Sequence, residues 1–171
     1  MFGRMLNVDL STGAVAWEQV PAEWVRDFIG GSGLAARLLW EELDPGRDPF
    51  DPRSPLLFIT GPLTGTGGPT PARMSLCARS PQTGLWGESN LGGFIGPELR
   101  YAGVDVLWIS GQATEPVYLW IHNGQAELRP AGHLWGSADP YETQRAIRDE
   151  VGEAQARVAS SAARPGAPTS L

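Results

Sequence analysis

One cysteine, Cys77, in 171 residues excludes a disulfide framework within the chain and suits a reducing compartment. It also excludes a four-iron cluster held by this chain, because such a cluster takes several thiolates. Histidine is nearly as scarce. His122 and His133 are the only two, and neither has Cys, His or carboxylate partners at metal-ligand spacing. No nucleophile and base stand in a legible catalytic arrangement. Apolar runs are short: none approaches the roughly 20 residues that a membrane-spanning helix needs, and Met1 to Asn7 lacks the apolar core of a signal peptide. Positive charge is the minority, with 13 Lys and Arg against 19 Asp and Glu and a net charge of -6. The basic residues are scattered, so there is no basic face for nucleic acid and no attraction to an anionic membrane. A soluble cytoplasmic protein that engages neither is expected.

Glycine, proline and tryptophan are plentiful, at 22, 15 and 7 residues. The glycines concentrate in Gly61-Pro62-Leu63-Thr64-Gly65-Thr66-Gly67-Gly68-Pro69-Thr70-Pro71-Ala72-Arg73, followed a short strand later by Glu88-Ser89-Asn90-Leu91-Gly92-Gly93. Glycine lets a ligand approach the main chain, and proline stiffens the loop so that its free N–H groups stay in place. Arg73, where the loop meets an apolar strand, supplies a guanidinium able to grip a phosphate through two parallel hydrogen bonds. The loop has no Gly-Lys-Ser/Thr and no helix pattern directly after it, so it is neither a Walker motif nor a dinucleotide fingerprint. Ordinary turn chemistry also uses these residues. Arg73 could pair with a surface carboxylate, Asn90 could hold a left-handed turn, and Gly92 and Gly93 could permit close packing of the next helix.

The pattern along the chain predicts an α+β domain of mixed β-sheets with packed helices, and 171 residues suit a single core. A hairpin is expected from Gly3 to Leu10 and Ala14 to Val20, turning at Ser11-Thr12-Gly13. Pro21 opens a helix that Gly30-Gly31-Ser32-Gly33 ends, and a second helix runs from Leu34 to Leu43. Leu56 to Ile59 and Arg73 to Arg79 are strands on either side of the Gly-rich loop. Cys77 is then a small buried hydrophobe. A helix over Gly92 to Tyr101, starting at a turn around Asn90, directs its N–H groups at an anion. Strands follow at Val104 to Ser110 and Val117 to His122, the latter turning at Asn123-Gly124 into Gln125 to Arg129. Asp139-Pro140-Tyr141-Glu142 starts a helix that stops at Gly152. Asp149, Glu150 and Glu153 near its end are expected to be solvated. Trp40, Trp108 and Trp120 read as core, His122 as an exposed strand end, and His133 as a packing or hydrogen-bonding residue; Trp86 could wall a ligand cavity or be core or interface packing, and is the one tryptophan considered near the site.

From Phe2 to about Val158 the chain resembles the N-terminal domain of the aldehyde ferredoxin oxidoreductase family, the tungsten and molybdenum pterin enzymes. The resemblance rests on ordered blocks: Gly3-Arg4, Asn7-Val8-Asp9-Leu10-Ser11-Thr12-Gly13, Gly30-Gly31-Ser32-Gly33-Leu34-Ala35, Gly61-Pro62-Leu63-Thr64-Gly65-Thr66 and Arg79-Ser80-Pro81-Gln82-Thr83-Gly84. They continue through Glu88-Ser89-Asn90-Leu91-Gly92-Gly93, Gly96-Pro97-Glu98-Leu99, Tyr101-Ala102-Gly103 and Glu115-Pro116-Val117-Tyr118. It implies a cofactor of two pyranopterin dithiolenes holding one tungsten or molybdenum, with a magnesium ion bridging their phosphates. The family's pterin contacts map by motif onto Arg73, Asn90, Gly92 and Gly93, with Asn90 also meeting magnesium through its main chain. A guanidinium and unencumbered amides suit phosphate, and hard magnesium prefers oxygen ligands.

The resemblance also implies what this chain does not carry. Full-length members continue into helical domains with a 4Fe-4S cluster, the rest of the pterin cavity and the acid-base residues, and they oxidise aldehydes to carboxylic acids, passing electrons to ferredoxin. The isolated chain is therefore expected to be inactive. The alternative is a non-catalytic pterin-binding domain, or a split subunit needing a separately encoded C-terminal partner. Residues 1–158 are read as an incomplete pterin-binding domain. Residues 159–171 have the low-complexity composition of a disordered tail. The family pattern breaks at about Ala159, where a frameshift or misplaced stop is expected; a downstream reading frame with no family-like continuation would sink that idea.

Overall fold

The computed structural model describes residues 2–136 and 139–160. The expected tail therefore lies mostly outside the described residues. Eight strands form a six-stranded mixed sheet and a separate hairpin. They are β1 (Arg4–Asp9), β2 (Ala14–Gln19), β3 (Leu56–Thr60), β4 (Met74–Arg79), β5 (Trp86–Leu91), β6 (Val106–Ser110), β7 (Val117–His122) and β8 (Gln125–Pro130). The large sheet has the order β2-β1-β6-β3-β4-β5, and β7 pairs with β8 alone. All its pairings are antiparallel except β1 with β6. Four helices accompany them: α1 (Ala22–Phe28), α2 (Gly31–Glu42), α3 (Ile95–Tyr101) and α4 (Pro140–Val151).

Alternation along the strands divides the core in two, because successive side chains leave opposite faces of a sheet. On one face Leu57, Ile59, Cys77, Val106 and Trp108 pack under α2, whose Leu34, Ala35, Leu38 and Leu39 form a single buried stripe. On the other, Leu6, Val8, Val104 and Leu107 pack with Leu119, Ile121, Ala126 and Leu128 of the β7–β8 hairpin. The hairpin's own apolar stripe is thus covered by the sheet. Trp108 lies in the first core as expected, but Trp40 is 82% exposed, because it falls on the outer face of α2, one residue beyond the Leu38–Leu39 stripe.

Local chemistry explains the boundaries. Asp9 closes the β1–β2 turn by accepting from the Ser11 N–H at 2.8 Å and the Thr12 hydroxyl at 2.8 Å, while Gly13 takes the left-handed conformation there, φ 75°. The Asp139 carboxylate caps α4 by accepting from the Tyr141 N–H at 2.8 Å, and Gly152 at φ 69° ends it.

Three boundaries differ from the sequence reading. Gly31, Ser32 and Gly33 begin α2 and do not end α1, which closes at Ile29. A Cβ on Gly33 would stand 3.0 Å from the Phe28 carbonyl oxygen, so glycine here serves a tight junction between two helices. Asn90 lies within β5, paired with Ser75, and not in a turn. Finally, α3 starts at Ile95 and has 7 residues, so no helix N-terminus forms at the Asn90 segment.

Candidate functional site

The Gly-rich loop is tied to itself. Thr64 is buried and its hydroxyl donates to the Arg73 carbonyl at 2.8 Å while accepting from the Gly61 N–H at 3.0 Å. The Gly65 N–H donates to the Pro71 carbonyl at 2.8 Å, and the Thr64 N–H to the Gly61 carbonyl at 3.0 Å. Tyr101 and Arg100 brace the outside, donating to the carbonyls of Gly65 at 2.9 Å and Gly61 at 3.2 Å. The expectation of a loop full of free N–H groups is therefore corrected: those of Gly61, Thr64 and Gly65 are engaged internally. What the loop contributes is a rigid approach to Arg73.

Arg73 and Gly92 come together. They flank the β4–β5 ladder, whose last pair is Met74 with Leu91, and a Cβ on Gly92 would lie 3.8 Å from Arg73 Nε and 3.9 Å from its Cζ. The guanidinium thus lies along the bare main chain of Gly92. Gly93 follows at φ 79° with open space around it. Arg73 is exposed, and among the described residues it has no carboxylate partner. The surface-carboxylate alternative for it therefore finds no support in the fold.

Asn90 stands on the same face as Arg73, two register pairs along from Gly92 towards the far end of β5. Its side chain donates to Glu88 Oε1 at 3.2 Å, and its main chain runs opposite Ser75 in the β4–β5 ladder. β5 is an edge strand, and alternate residues of an edge present N–H and C=O outward. Trp86 lies further along, with Nε1 donating to Glu88 Oε2 at 3.4 Å; it borders Glu88 and stands away from Gly92.

Sequence reasoning missed two groups. Arg157 stacks on the Phe94 ring with Cζ 4.5 Å from its centroid, and its buried Nε has no hydrogen-bond partner. Two guanidinium groups that have no carboxylate partner among the described residues therefore flank the segment Gly92 to Phe94, which fits an anionic ligand in a protein of net charge -6. The second group is Asp105. This buried carboxylate accepts from the Gly3 N–H at 2.6 Å and the Arg4 N–H at 2.9 Å, and pairs with Arg100 Nε at 3.1 Å. It locks the chain start and the loop brace into one unit. Neither has a local motif; only the tertiary fold reveals them.

The remaining sequence candidates stand apart from this site. Cys77 is buried in the α2 core, where burial, and then the neighbouring Glu88 charge, push its thiol up to about 12; it is no nucleophile at neutral pH. His122 is exposed and stacks on Trp120 at 5.5 Å between ring centroids. His133 meets Glu150 at 3.1 Å, and Glu150 also accepts from the Tyr118 hydroxyl at 2.9 Å. Glu150 is thus a clamp between α4 and the β7–β8 hairpin, which corrects its reading as a merely solvated carboxylate. Among the described residues no group of His, Cys, Asp and Glu side chains gathers to hold a metal, and no helix is long and apolar enough to cross a membrane.

A mixed sheet thus carries a braced Gly-rich loop that leads to an arginine lying on a bare glycine. The chain belongs to the aldehyde ferredoxin oxidoreductase family: residues 5–165 match the family described as "Aldehyde ferredoxin oxidoreductase, N-terminal domain". It is 43% identical over 159 residues to the "Tungsten-containing aldehyde ferredoxin oxidoreductase" of Thermococcus kodakarensis, covering 93% of this chain and 26% of the relative. The enzyme of the same name from Pyrococcus furiosus is 41% identical over 159 residues, with the same coverage of 93% and 26%. A solved structure described as "Active site complex BamBC of Benzoyl Coenzyme A reductase in complex with 1,5 Dienoyl-CoA" superposes with a TM-score of 0.86 at 37% identity, over 90% of this chain and 23% of that one. The chain spans about a quarter of the length of these relatives.

Proposed function

We propose that this chain is the N-terminal, cofactor-cradling part of an aldehyde ferredoxin oxidoreductase-like enzyme that oxidises aldehydes to carboxylic acids and passes the electrons to ferredoxin. The observation that carries the proposal is the unpaired Arg73 guanidinium lying on Gly92. It offers a fixed cation beside unobstructed main chain, the chemistry that a phosphate of a pyranopterin requires. When bound, a tungsten or molybdenum bis-pyranopterin supplies the two-electron redox chemistry. Arg73 and Arg157 would offset its negative charge, Gly92 and Gly93 would let it approach the backbone, and the main chain of Asn90 would offer oxygen to magnesium. The loop brace through Thr64, Tyr101 and Arg100 fixes Arg73 before the ligand arrives, which limits the ordering cost of binding.

The single cysteine cannot ligate a 4Fe-4S cluster, and among the described residues no proton-transfer pair stands near Arg73, so catalysis requires polypeptide beyond these residues. Exposed Leu63 and Phe94, at the loop and beyond Gly93, give that polypeptide an apolar border to cover. Those same side chains favour a second reading, in which the remainder is a separately encoded subunit and this chain is its non-catalytic pterin-binding partner. Co-expression with a polypeptide matching the remaining three quarters of the relatives distinguishes the readings. The first predicts viologen-linked aldehyde oxidation by the complex and none by the isolated chain. A loaded complex that binds pterin and metal yet oxidises no aldehyde supports the second and contradicts the first.

A further inference from the structure

A polar cavity of about 430 Å³ opens at the end of the large sheet opposite the cradle. β3 spans the distance between the two: Leu56 pairs with Ile109 at the cavity end, and Thr60 pairs with Met74 beside Arg73, roughly 13 Å along the strand. The β1–β2 turn, the end of β6, the last residue of α2 and the segment 44–55 wall the cavity, which Asp9, Ser11, Glu42, Arg47, Trp108 and Ser110 line. This corner is pinned. The Gly111 N–H donates to the Pro52 carbonyl at 2.6 Å, the Arg47 N–H to the Asp44 carbonyl at 3.0 Å, and Arg79 Nη1 to the Arg47 carbonyl.

Its charged groups divide into those already engaged and two left over. Asp9 accepts from the Ser11 N–H and the Thr12 hydroxyl. Arg53, also in the wall, closes its Nε–Nη2 fork on Asp51 at 2.9 and 2.6 Å, and elsewhere Arg26 holds Asp27 through the same fork at 2.8 and 3.2 Å. Arg47 differs. Its Nη1 donates to the Arg53 carbonyl at 3.2 Å, but its Nε is shielded from water and meets no acceptor, and among the described residues Nη2 meets none either. The nearby Asp51 carboxylate is taken by Arg53. A shielded N–H without an acceptor is costly, and the planar fork matches a carboxylate. Glu42 is the second group. It ends α2, at the negative end of the helix dipole, and among the described residues its carboxylate has no hydrogen bond or ion pair, whereas Glu41 beside it takes Arg37. Arg47 and Glu42 line one cavity without pairing with each other.

We infer that this cavity is a binding site for a small amphoteric ligand of the free α-amino acid class: Arg47 takes the carboxylate, Glu42 takes the ammonium, and the Trp108 ring offers an apolar floor. A simple anion is opposed by Glu42 and a simple cation by Arg47, so only a ligand that carries both charges neutralises both groups. The volume lies within the range of small-molecule sites, about 300–1,000 Å³. The inference uses none of the cradle residues and stands or falls apart from that reading.

Titration of the ¹⁵N-labelled full chain with L-alanine at neutral pH, beside parallel titrations with acetate and with methylammonium, tests it. The expected result is saturable movement of the Arg47, Arg53 and Gly111 amide resonances with L-alanine and none with either half-ligand. Glu42→Gln, a change at an exposed helix end, and Arg47→Gln each weaken L-alanine binding roughly tenfold, the effect of losing one contact to a charged group. The exposed position of Glu42 keeps the test valid if Arg47→Gln disturbs the segment 44–55. Absence of saturable movement with L-alanine, movement of equal affinity with acetate or methylammonium, or an unaltered affinity in Glu42→Gln overturns the inference.

Discussion

At the residue scale the account turns on groups whose neighbours decide their state. Among the described residues the exposed Arg73 has no carboxylate partner and lies on the bare Gly92, and so on the proposed reading Arg73→Lys is not conservative. Lysine keeps the charge but loses the planar fork, and pyrophosphate binding to the full chain is expected to fall severalfold in R73K and further in R73A. Equal affinity in all three contradicts the role. Cys77 gives a pH prediction with a definite sign. Its thiol is raised from 9.0 to about 12 in the folded chain, so the folded state holds its proton more tightly than the unfolded one. The associated stability is fully present below pH 9 and is lost as the pH rises towards 12. At pH 8 iodoacetamide is expected to leave the native thiol unmodified and to label it in denaturant; rapid labelling of native protein contradicts the burial. Asp105 is the third case. Removing a buried carboxylate that holds two N–H groups and Arg100 is expected to destabilise by about 3 kcal/mol, read as a lower thermal midpoint for Asp105→Ala. An unchanged midpoint shows that the hub is dispensable.

At the scale of elements, much was legible in the sequence because the signals were local. The Ser11-Thr12-Gly13 turn, the Asn123-Gly124 hairpin and the Asp139 and Gly152 ends of α4 were all read from residue types that enforce their own geometry. The errors lie where a residue type has two uses. Gly31 to Gly33 looked like a helix stop, yet the close approach of Gly33 to the Phe28 carbonyl makes them the start of α2. Asn90 looked like a turn residue, yet pairing with Ser75 holds it in a strand. Gly33→Ala therefore tests the junction. A Cβ 3.0 Å from a backbone oxygen should cost about 1–3 kcal/mol and shift the amides of α1 and α2, whereas Gly67→Ala, with open space around it, should leave stability nearly unchanged. Equal stability in the two variants rejects the account of that junction.

At the scale of the whole molecule, long-range order could not be read from the sequence. β6 arrives late in the chain yet sits between β1 and β3 at the sheet centre, and Arg157 reaches Phe94 from beyond α4. No spacing rule encodes such contacts. The ordered blocks nevertheless pointed to the family, and residues 5–165 match it. The tungsten-containing relatives extend to about four times the length of this chain. The metal and pterin content of a complex formed with a polypeptide matching the remaining three quarters of the relatives, measured side by side for wild type and Arg73→Ala, tests the proposed cofactor role of Arg73 most directly. The account predicts bound pterin and tungsten or molybdenum in the wild-type complex and a marked loss of both in Arg73→Ala with the complex still assembled; equal cofactor content in the two, or none in the wild type, would contradict it.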